Sequence, residues 1–147
     1  MREILFRGKR LDNEEWVEGH LIQYEDRRAR ICESHTDIFC YEKDRSIIQT
    51  VAHEVDPSTV GQYTGLKDKN GKLIFEDDVC RFREWSNGEM CWSGKVHFEH
   101  QQFMISGGPN KECETMFELC LSRFISENIE VIGNVHDNKL EDFDNGR

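Results

Sequence analysis

Three acidic residues stand in a row near the middle of the sequence, at Glu76, Asp77 and Asp78. Grouped carboxylates can hold a magnesium ion or supply the acid and base of a phosphoryl-transfer or hydrolytic site. If the triplet lies on a strand, Glu76 and Asp78 share one face and Asp77 points to the other. An acidic run just before a strand is more typical of a solvated turn, so we predict a turn here.

The sequence DKNG at residues 68–71 invites a comparison with calcium-binding loops, which alternate oxygen ligands and turn sharply at a glycine. With Gly71 in the sixth position of an EF-hand loop, Leu66 occupies the first position, where a carboxylate is required. Asp77 then occupies the twelfth position, where a bidentate Glu is expected. We therefore predict no calcium site at this loop.

Cys91, His97 and His100 are the residues whose types come nearest to a zinc-binding set. Their spacing is poor for zinc, because His97 and His100 fall on opposite faces of an extended strand and no fourth ligand is apparent. We predict surface histidines and no metal, although the sequence leaves open whether these three residues ever bind one. The six cysteines form no Cys-x-x-Cys pair, so we predict reduced, structural thiols.

No signature of covalent or nucleotide chemistry occurs in the sequence. There is no nucleophile elbow and no G-x-G-x-x-G, and Gly107-Gly108 is not followed by the Lys-Ser/Thr of a phosphate-binding loop. We therefore predict no catalytic residue, no cofactor-binding residue and no cofactor, and we expect a protein that is not an enzyme.

The charge balance disfavours nucleic acid as a partner. The chain of 147 residues carries 29 acidic and 19 basic side chains, a net charge of −10, which repels a polyanion. The densest basic patch, EDRRAR at residues 25–30, is typical of a solvated hairpin tip. Four aromatic residues could form a base-stacking platform but at strand spacing are more typical of a core: Trp85, Trp92, Phe98 and Phe103.

Nothing in the sequence resembles a membrane or export segment. No apolar run approaches the roughly 20 residues that span a bilayer, and MREILFRGKR at the amino terminus lacks the apolar region of a secretory signal. We expect a cytoplasmic protein with no membrane partner.

The positions that carry these residues are predicted to be mainly β. Short apolar stretches at residues 16–17, 21–22 and 31–32 predict an antiparallel meander, and DPST at 56–59 predicts a turn or short capped helical turn. Asn70-Gly71 is the strongest short signal for a type I′ hairpin turn. Five strand-like runs follow between residues 77 and 135, typical of a small SH3-like or partly open barrel.

The run TVGQYTGLKDKNGKLIFEDDVCRF, residues 59–82, strongly resembles the signature of the YopX family of small phage and prophage proteins. An opening similar to MREILFRGKR and a closing strand similar to IEVIGNVHDN also recur in that family, so the resemblance covers essentially the whole chain. It is weakest over residues 25–50. The family commonly has Glu-Gly-Asp where this chain has the acidic triplet, and because Asp tolerates left-handed conformations we expect the turn to survive.

The resemblance implies a mostly β protein in a phage or prophage setting, and it brings no established activity. We expect one domain over residues 1–147, in which an N-terminal meander (1–60) is joined by a hairpin to a C-terminal SH3-like small barrel (61–136), followed by a polar tail (137–147). The motif residues are predicted to be turn and packing determinants: Gln62, Tyr63, Thr64, Gly65, Leu66, Asn70, Gly71, Asp78, Gly133 and Asn134.

These observations favour a phage accessory protein that binds another protein or itself. Exposed strand edges are natural pairing surfaces, so we expect a homo-oligomer or a complex with a host or phage protein. A small barrel that binds nucleic acid, or whose acidic surface mimics DNA, is the alternative hypothesis.

Overall fold

The computed structural model of this chain describes residues 3–33, 52–84, 90–107, 117–123 and 126–138. Strands dominate these residues, and no α-helix occurs among them, so the prediction of a mainly β chain is confirmed. Three short 3-10 turns lie at Pro57–Thr59, Leu121–Arg123 and Ser126–Asn128. In chain order the strands are β1 (Phe6–Lys9), β2 (Trp16–Gln23), β3 (Ala29–Cys32), β4 (Ala52–Val55), β5 (Gly61–Lys67), β6 (Leu73–Phe75), β7 (Asp78–Glu84), β8 (Met90–Glu99), β9 (Gln102–Gly107), β10 (Phe117–Cys120) and β11 (Ile129–Asn134).

The chain divides into two compact units, Met1–Gln62 and Tyr63–Arg147, and strand β5 crosses the boundary. In the first unit the antiparallel order is β4-β3-β2-β1, and the first two residues of β5 pair with the other side of β1. This arrangement contains the predicted meander. Its core consists of the buried side chains of Val17, Ala29, Ile31 and Val55.

The basic segment at residues 25–30 lies at the tip of the β2–β3 hairpin, as predicted. The turn is held by the N–H of Tyr24 donating to the carbonyl of Arg28 and by the N–H of Arg27 donating to the carbonyl of Tyr24, each at 3.0 Å. Arg27 adopts a φ of 70°, which allows the tight turn. The side chains of residues 24–28 at this tip are exposed to solvent.

The DPST segment forms the predicted short capped turn before β5. The carboxylate of Asp56 accepts from the backbone N–H of Ser58 at 2.9 Å, and Pro57 occupies the first turn position, where its missing N–H is not needed. The hydroxyl of Thr59 in turn accepts from the N–H of Lys9 at 2.8 Å and so fastens the turn to β1.

In the second unit, five strands form an antiparallel sheet in the order β10-β9-β8-β7-β11. These are the five strands predicted from the sequence between residues 77 and 135. The core of this unit combines buried side chains of these strands (Cys80, Phe82, Val96, Ile105 and Ile129) with Ile74 of β6 and Leu121 of the 3-10 turn after β10. Strands β10 and β11 end the sheet and do not pair with each other within the described residues, so closure into an SH3-like barrel stays a prediction.

The hairpin between β5 and β6 is present, but its turn is not the predicted type I′. Gly71 has a φ of 81°, whereas Asn70 is not among the described residues with positive φ. The N–H of Gly71 donates to the carbonyl of Asp68 at 2.9 Å, and the N–H of Asp68 donates to that of Lys72 at 2.8 Å. A three-residue loop with one left-handed glycine therefore replaces the two-residue turn, because it needs positive φ at a single position.

The prediction of a core position was wrong for Phe98, whose side chain is 53% exposed. Its ring packs edge-on against Phe103, with centroids 5.1 Å apart, and Phe103 is the member that packs on the core. The side chains of Trp85 and Trp92 lie outside the described part of the chain, as do residues 108–110 of the predicted Gly-Pro-Asn loop and residues 139–147 of the tail. Within the described residues, no helix is long and apolar enough to span a membrane.

Candidate functional site

Glu76 and Asp77 of the acidic triplet lie in the turn between β6 and β7, Asp78 is the first residue of β7, and the three carboxylates do not converge. Asp78 is 1% exposed and accepts a hydrogen bond from the backbone N–H of Phe75 at 2.8 Å. Asp77 has a φ of 65°, which is left-handed and not extended. The rule that alternate residues of a strand share one face therefore does not apply to the triplet. The prediction of a turn is confirmed, including its left-handed residue, but the prediction of a solvated triplet was wrong for Asp78.

Asp77 joins three segments of the second unit. Its carboxylate lies 2.8 Å from Lys95 Nζ and 3.0 Å from His136 Nε2, while its backbone N–H donates to the carbonyl of Val96 and its carbonyl accepts from the N–H of Val135. Burial alone raises the pKa of the Asp77 carboxyl, but Lys95 and His136 outweigh it and lower the pKa below its ordinary value. Such a paired, ionised carboxylate holds structure in place and is unsuited to proton transfer near neutral pH.

Asp68, in the loop once compared with a calcium site, is committed to backbone groups. Its Oδ1 accepts from the N–H groups of Asn70 (2.8 Å) and Lys72 (2.9 Å), and its Oδ2 accepts from that of Val131 (3.0 Å). Burial raises the pKa of this carboxyl, and the three N–H donors together with the charge of Lys72 outweigh burial and lower it. The carboxylate therefore caps a strand and a loop instead of facing a ligand.

The remaining motif residues lie in packing, turn and bulge positions. Tyr63 is buried with its ring 5.7 Å from that of Phe75, and Thr64 donates its hydroxyl to the carbonyl of Ile74 at 2.8 Å.

Gly65 has a φ of 88°, Leu66 packs on the core, and Gln62 pairs with Phe6. Gly133 follows a β-bulge in β11, and the side-chain oxygen of Asn134 accepts from the N–H groups of His136 and Asp137.

A different cluster forms around His97 on the face shared by β8, β9 and β10. His97 Nε2 lies 3.4 Å from Glu99 Oε2 and 3.5 Å from Glu118 Oε1. One ligand atom from each of these three residues lies within 4.8 Å of the other two. Among the described residues, these three are the group whose donors converge closely enough to hold a metal ion.

The residues predicted to accompany His97 lie elsewhere. His100 is an exposed turn residue with a φ of 50°, just beyond β8. Cys91 stands six positions before His97 on the same strand, which corresponds to about 20 Å at the rise of an extended chain. Sequence alternation alone places Glu99 on the face of His97, whereas Glu118 meets them only through the pairing of β10 with β9 and of β9 with β8.

Three of the six cysteines have described side chains, and all three are free thiols. Cys32 and Cys80 are buried, and Cys120 is half-buried near Ser122 and Gln102. The burial of Cys32 and Cys80 fits a structural role, and the reduced state stays a prediction.

Comparison with known families gave one match over nearly the whole chain. The family model described as YopX protein matches residues 5–141, which include the motif hairpin, the acidic turn and the five-stranded sheet. A comparison with curated proteins found no match. The chain therefore belongs to the YopX family.

Proposed function

We propose that this protein acts by binding rather than by catalysis, and that its partner is a second copy of the same chain. The observation that carries the proposal is the outer edge of β10, the last strand of the sheet in the second unit. Unpaired backbone groups on a strand edge are a template for another strand, and two-fold dimers are the commonest oligomers of soluble proteins.

The outer edges of β11 and β4 are partly covered from within, and on β6, which ends the six-stranded sheet, the carboxylate of Asp78 binds the N–H of Phe75. On β11, the carboxylate of Asp68 binds the N–H of Val131, and the N–H of Lys69 donates to the carbonyl of Ile129. The segment that follows β1 pairs with the carboxyl-terminal end of β4. Arg10 forms an isolated antiparallel β-bridge with Val55, and the N–H of Leu11 donates to the carbonyl of Glu54. Within the described residues, β10 has backbone pairing on the β9 side alone.

The residue types of β10 favour one register for pairing two copies. In an antiparallel pair, residues that lie directly opposite each other point to the same face of the sheet. A two-fold axis perpendicular to the sheet must therefore pass between the two copies of one residue, which face each other. An axis through Glu118 sets like charges directly opposite each other, which destabilises the pair. An axis through Leu119 joins two leucines and sets Glu118 opposite Cys120 of the other copy, so this register is the favoured one.

Light scattering over a dilution series tests the proposal, together with the variants Glu118→Pro and Leu119→Pro. Neighbouring residues of an edge strand point their N–H groups in opposite directions, one toward β9 and one outward. Proline at the outward position removes a donor needed for the second copy and leaves the pairing with β9 intact. We expect a wild-type dimer that dissociates on dilution, and one of the two variants as a folded monomer. A wild-type chain that is a monomer at every concentration contradicts the proposal.

Nucleic-acid binding is the second candidate, favoured by the aromatic and basic tip of the β2–β3 hairpin. The Tyr24 ring lies 5.4 Å from the guanidinium of Arg28 and 5.8 Å from that of Arg30, and it is 39% exposed. Ion pairs of Arg28 with Asp26 and of Arg30 with Glu54 reduce the positive charge available to phosphates. A gel-shift titration with single-stranded DNA and RNA at low salt distinguishes the candidates, since the β10 proposal predicts no shift.

The family resemblance supports a phage or prophage setting for this activity, and we propose action in the cytoplasm of the host cell. In an alternative form of the proposal, the partner is a host or phage protein that adds an extended segment to the edge of β10. This alternative would be supported over self-association if the wild-type protein is a monomer that binds such a partner, and if the proline variant that keeps its fold does not bind it.

A further inference from the structure

We propose that His97, Glu99 and Glu118 form a binding site for a divalent transition-metal ion, and that zinc is the ion that this set of donors fits best. The site lies on β8 and β10 within the second unit. It does not depend on self-association through β10, because all three ligands belong to one chain.

The two distances from His97 to the carboxylates match a zinc coordination sphere, and the ligand atoms of all three residues lie within 4.8 Å of one another. Zinc binds histidine nitrogen and carboxylate oxygen at about 2.0–2.2 Å in tetrahedral geometry, so two of its ligand atoms lie about 3.4 Å apart. His97 Nε2 is 3.4 Å from Glu99 Oε2 and 3.5 Å from Glu118 Oε1. A direct hydrogen bond between a charged nitrogen and a carboxylate is shorter, at about 2.7–2.9 Å. The spacing therefore fits an ion between the three groups better than a proton on His97.

The other ring nitrogen of His97 faces the protein. Nδ1 lies 3.4 Å from the backbone carbonyl of Lys95 and 3.4 Å from the hydroxyl of Ser106. Because a carbonyl only accepts, this placement favours the proton on Nδ1 and leaves the lone pair of Nε2 directed at the two carboxylates. A metal-binding histidine is typically oriented in this way through its second nitrogen, and a cation removes the repulsion among lone pair and carboxylates.

The composition and exposure of the site select the class of ion. Imidazole together with carboxylates suits zinc and its first-row neighbours, whereas magnesium and calcium prefer oxygen ligands alone. The side chain of His97 is 23% exposed and those of Glu99 and Glu118 are 53% and 45% exposed. The ion can therefore enter from solvent, and water can complete its coordination.

Isothermal titration of the chelator-treated full chain with zinc chloride tests the proposal. We expect one zinc ion per chain at this site, and affinity losses of at least about tenfold in both His97→Gln and Glu118→Gln. The control variants are His100→Gln, a neighbouring exposed histidine, and Glu127→Gln, an exposed glutamate of the same unit, and both should bind zinc as the wild type does. Glu118 is exposed on an edge strand, so its neutral isostere should melt at the wild-type temperature and report binding alone.

X-ray absorption of the zinc-loaded protein separates this site from the free thiols. The proposal requires a shell of nitrogen and oxygen at about 2.0–2.1 Å and no sulfur shell at about 2.3 Å. A sulfur shell, or unchanged zinc affinity in both His97→Gln and Glu118→Gln, overturns the proposal. So does the absence of measurable zinc binding by the wild type.

Discussion

The carboxylate of Asp68 accepts a hydrogen bond from the backbone N–H of Val131, a residue 63 positions further along the chain, at 3.0 Å. Asp68 lies in the loop between β5 and β6, and Val131 lies in β11 at the end of the five-stranded sheet. One buried side chain thus closes a hairpin loop and covers a strand edge. An aspartate that resembles a metal ligand in the sequence acts here as a structural cap.

Replacing Asp68 by alanine should lower the free energy of unfolding by about 2–3 kcal/mol, because N–H groups that it binds lose their acceptor in a buried setting. Urea denaturation measures the loss. Asp26→Ala is the matched control, since the Asp26 carboxylate accepts from the N–H of Arg28 at the tip of another hairpin but is exposed. The control should lose far less stability, because water can replace its carboxylate. Equal losses in the two variants would contradict the role assigned to Asp68.

Stability should fall in acid, and part of the fall should depend on Asp68. Its pKa is lowered in the folded chain from an ordinary value of 3.8, so the unfolded chain binds the proton more readily. The stabilisation from Asp68 is therefore fully present when the pH is above the ordinary pKa, and it is lost as the pH falls through the pKa of the folded chain. Urea midpoints measured between about pH 5 and about pH 2 should decline less steeply in Asp68→Asn than in the wild type. Parallel declines would show that Asp68 does not contribute to the loss of stability in acid.

Asp77 should be more costly to replace by alanine than by glycine. Both variants lose the contacts to Lys95 and His136, but its φ of 65° is strained for alanine and free for glycine. We expect alanine to be less stable than glycine by about 1 kcal/mol in urea denaturation. At Lys72, an exposed residue outside the set with positive φ, glycine should be no better than alanine. A glycine advantage of equal size at both positions would contradict the explanation from φ.

Gly19 on β2 should not accept a methyl group. A Cβ built on Gly19 would lie 1.9 Å from the carbonyl oxygen of Cys32, whereas a Cβ on Gly71 would meet nothing within 4 Å. Because backbone must move to relieve such an overlap, Gly19→Ala should cost about 3 kcal/mol, at the upper end for overpacking. Gly71→Ala should cost about 1 kcal/mol, from its positive φ alone. Thermal unfolding compares the two, and a Gly19→Ala variant as stable as Gly71→Ala would refute the close approach.

Local patterns in the sequence were sufficient for most of the architecture. Alternating apolar residues gave the meander and the five later strands, and the Asp-Pro-Ser-Thr segment gave its capped turn, because these features depend on neighbouring residues. The hairpin at Asn70-Gly71 was also predicted, but the prediction of a type I′ turn was wrong. The loop is also bound to β11 through Lys69 and Asp68, and contacts with a strand so far along the chain are not encoded by local spacing.

The candidate site was predicted only in part. His97 was recognised as a possible ligand, and Glu99 follows it by two positions on one strand, so a period of two places them on the same face. Glu118 lies 21 positions after His97 in the sequence, and the register of β8, β9 and β10 brings it to the imidazole. No rule of local spacing could have joined His97 to Glu118 rather than to Cys91 or His100.

The β class, the family and the turn positions of this protein follow from adjacent residues, because propensities, turn chemistry and the long motif at residues 59–82 are local. The contacts of the polar motif residues follow from the fold instead. Asp68 caps Val131, Asp77 pairs with Lys95 and His136, and His97 meets Glu118, each across strands that are distant in sequence. Contacts of this kind are set by strand order and register, which short-range patterns do not encode.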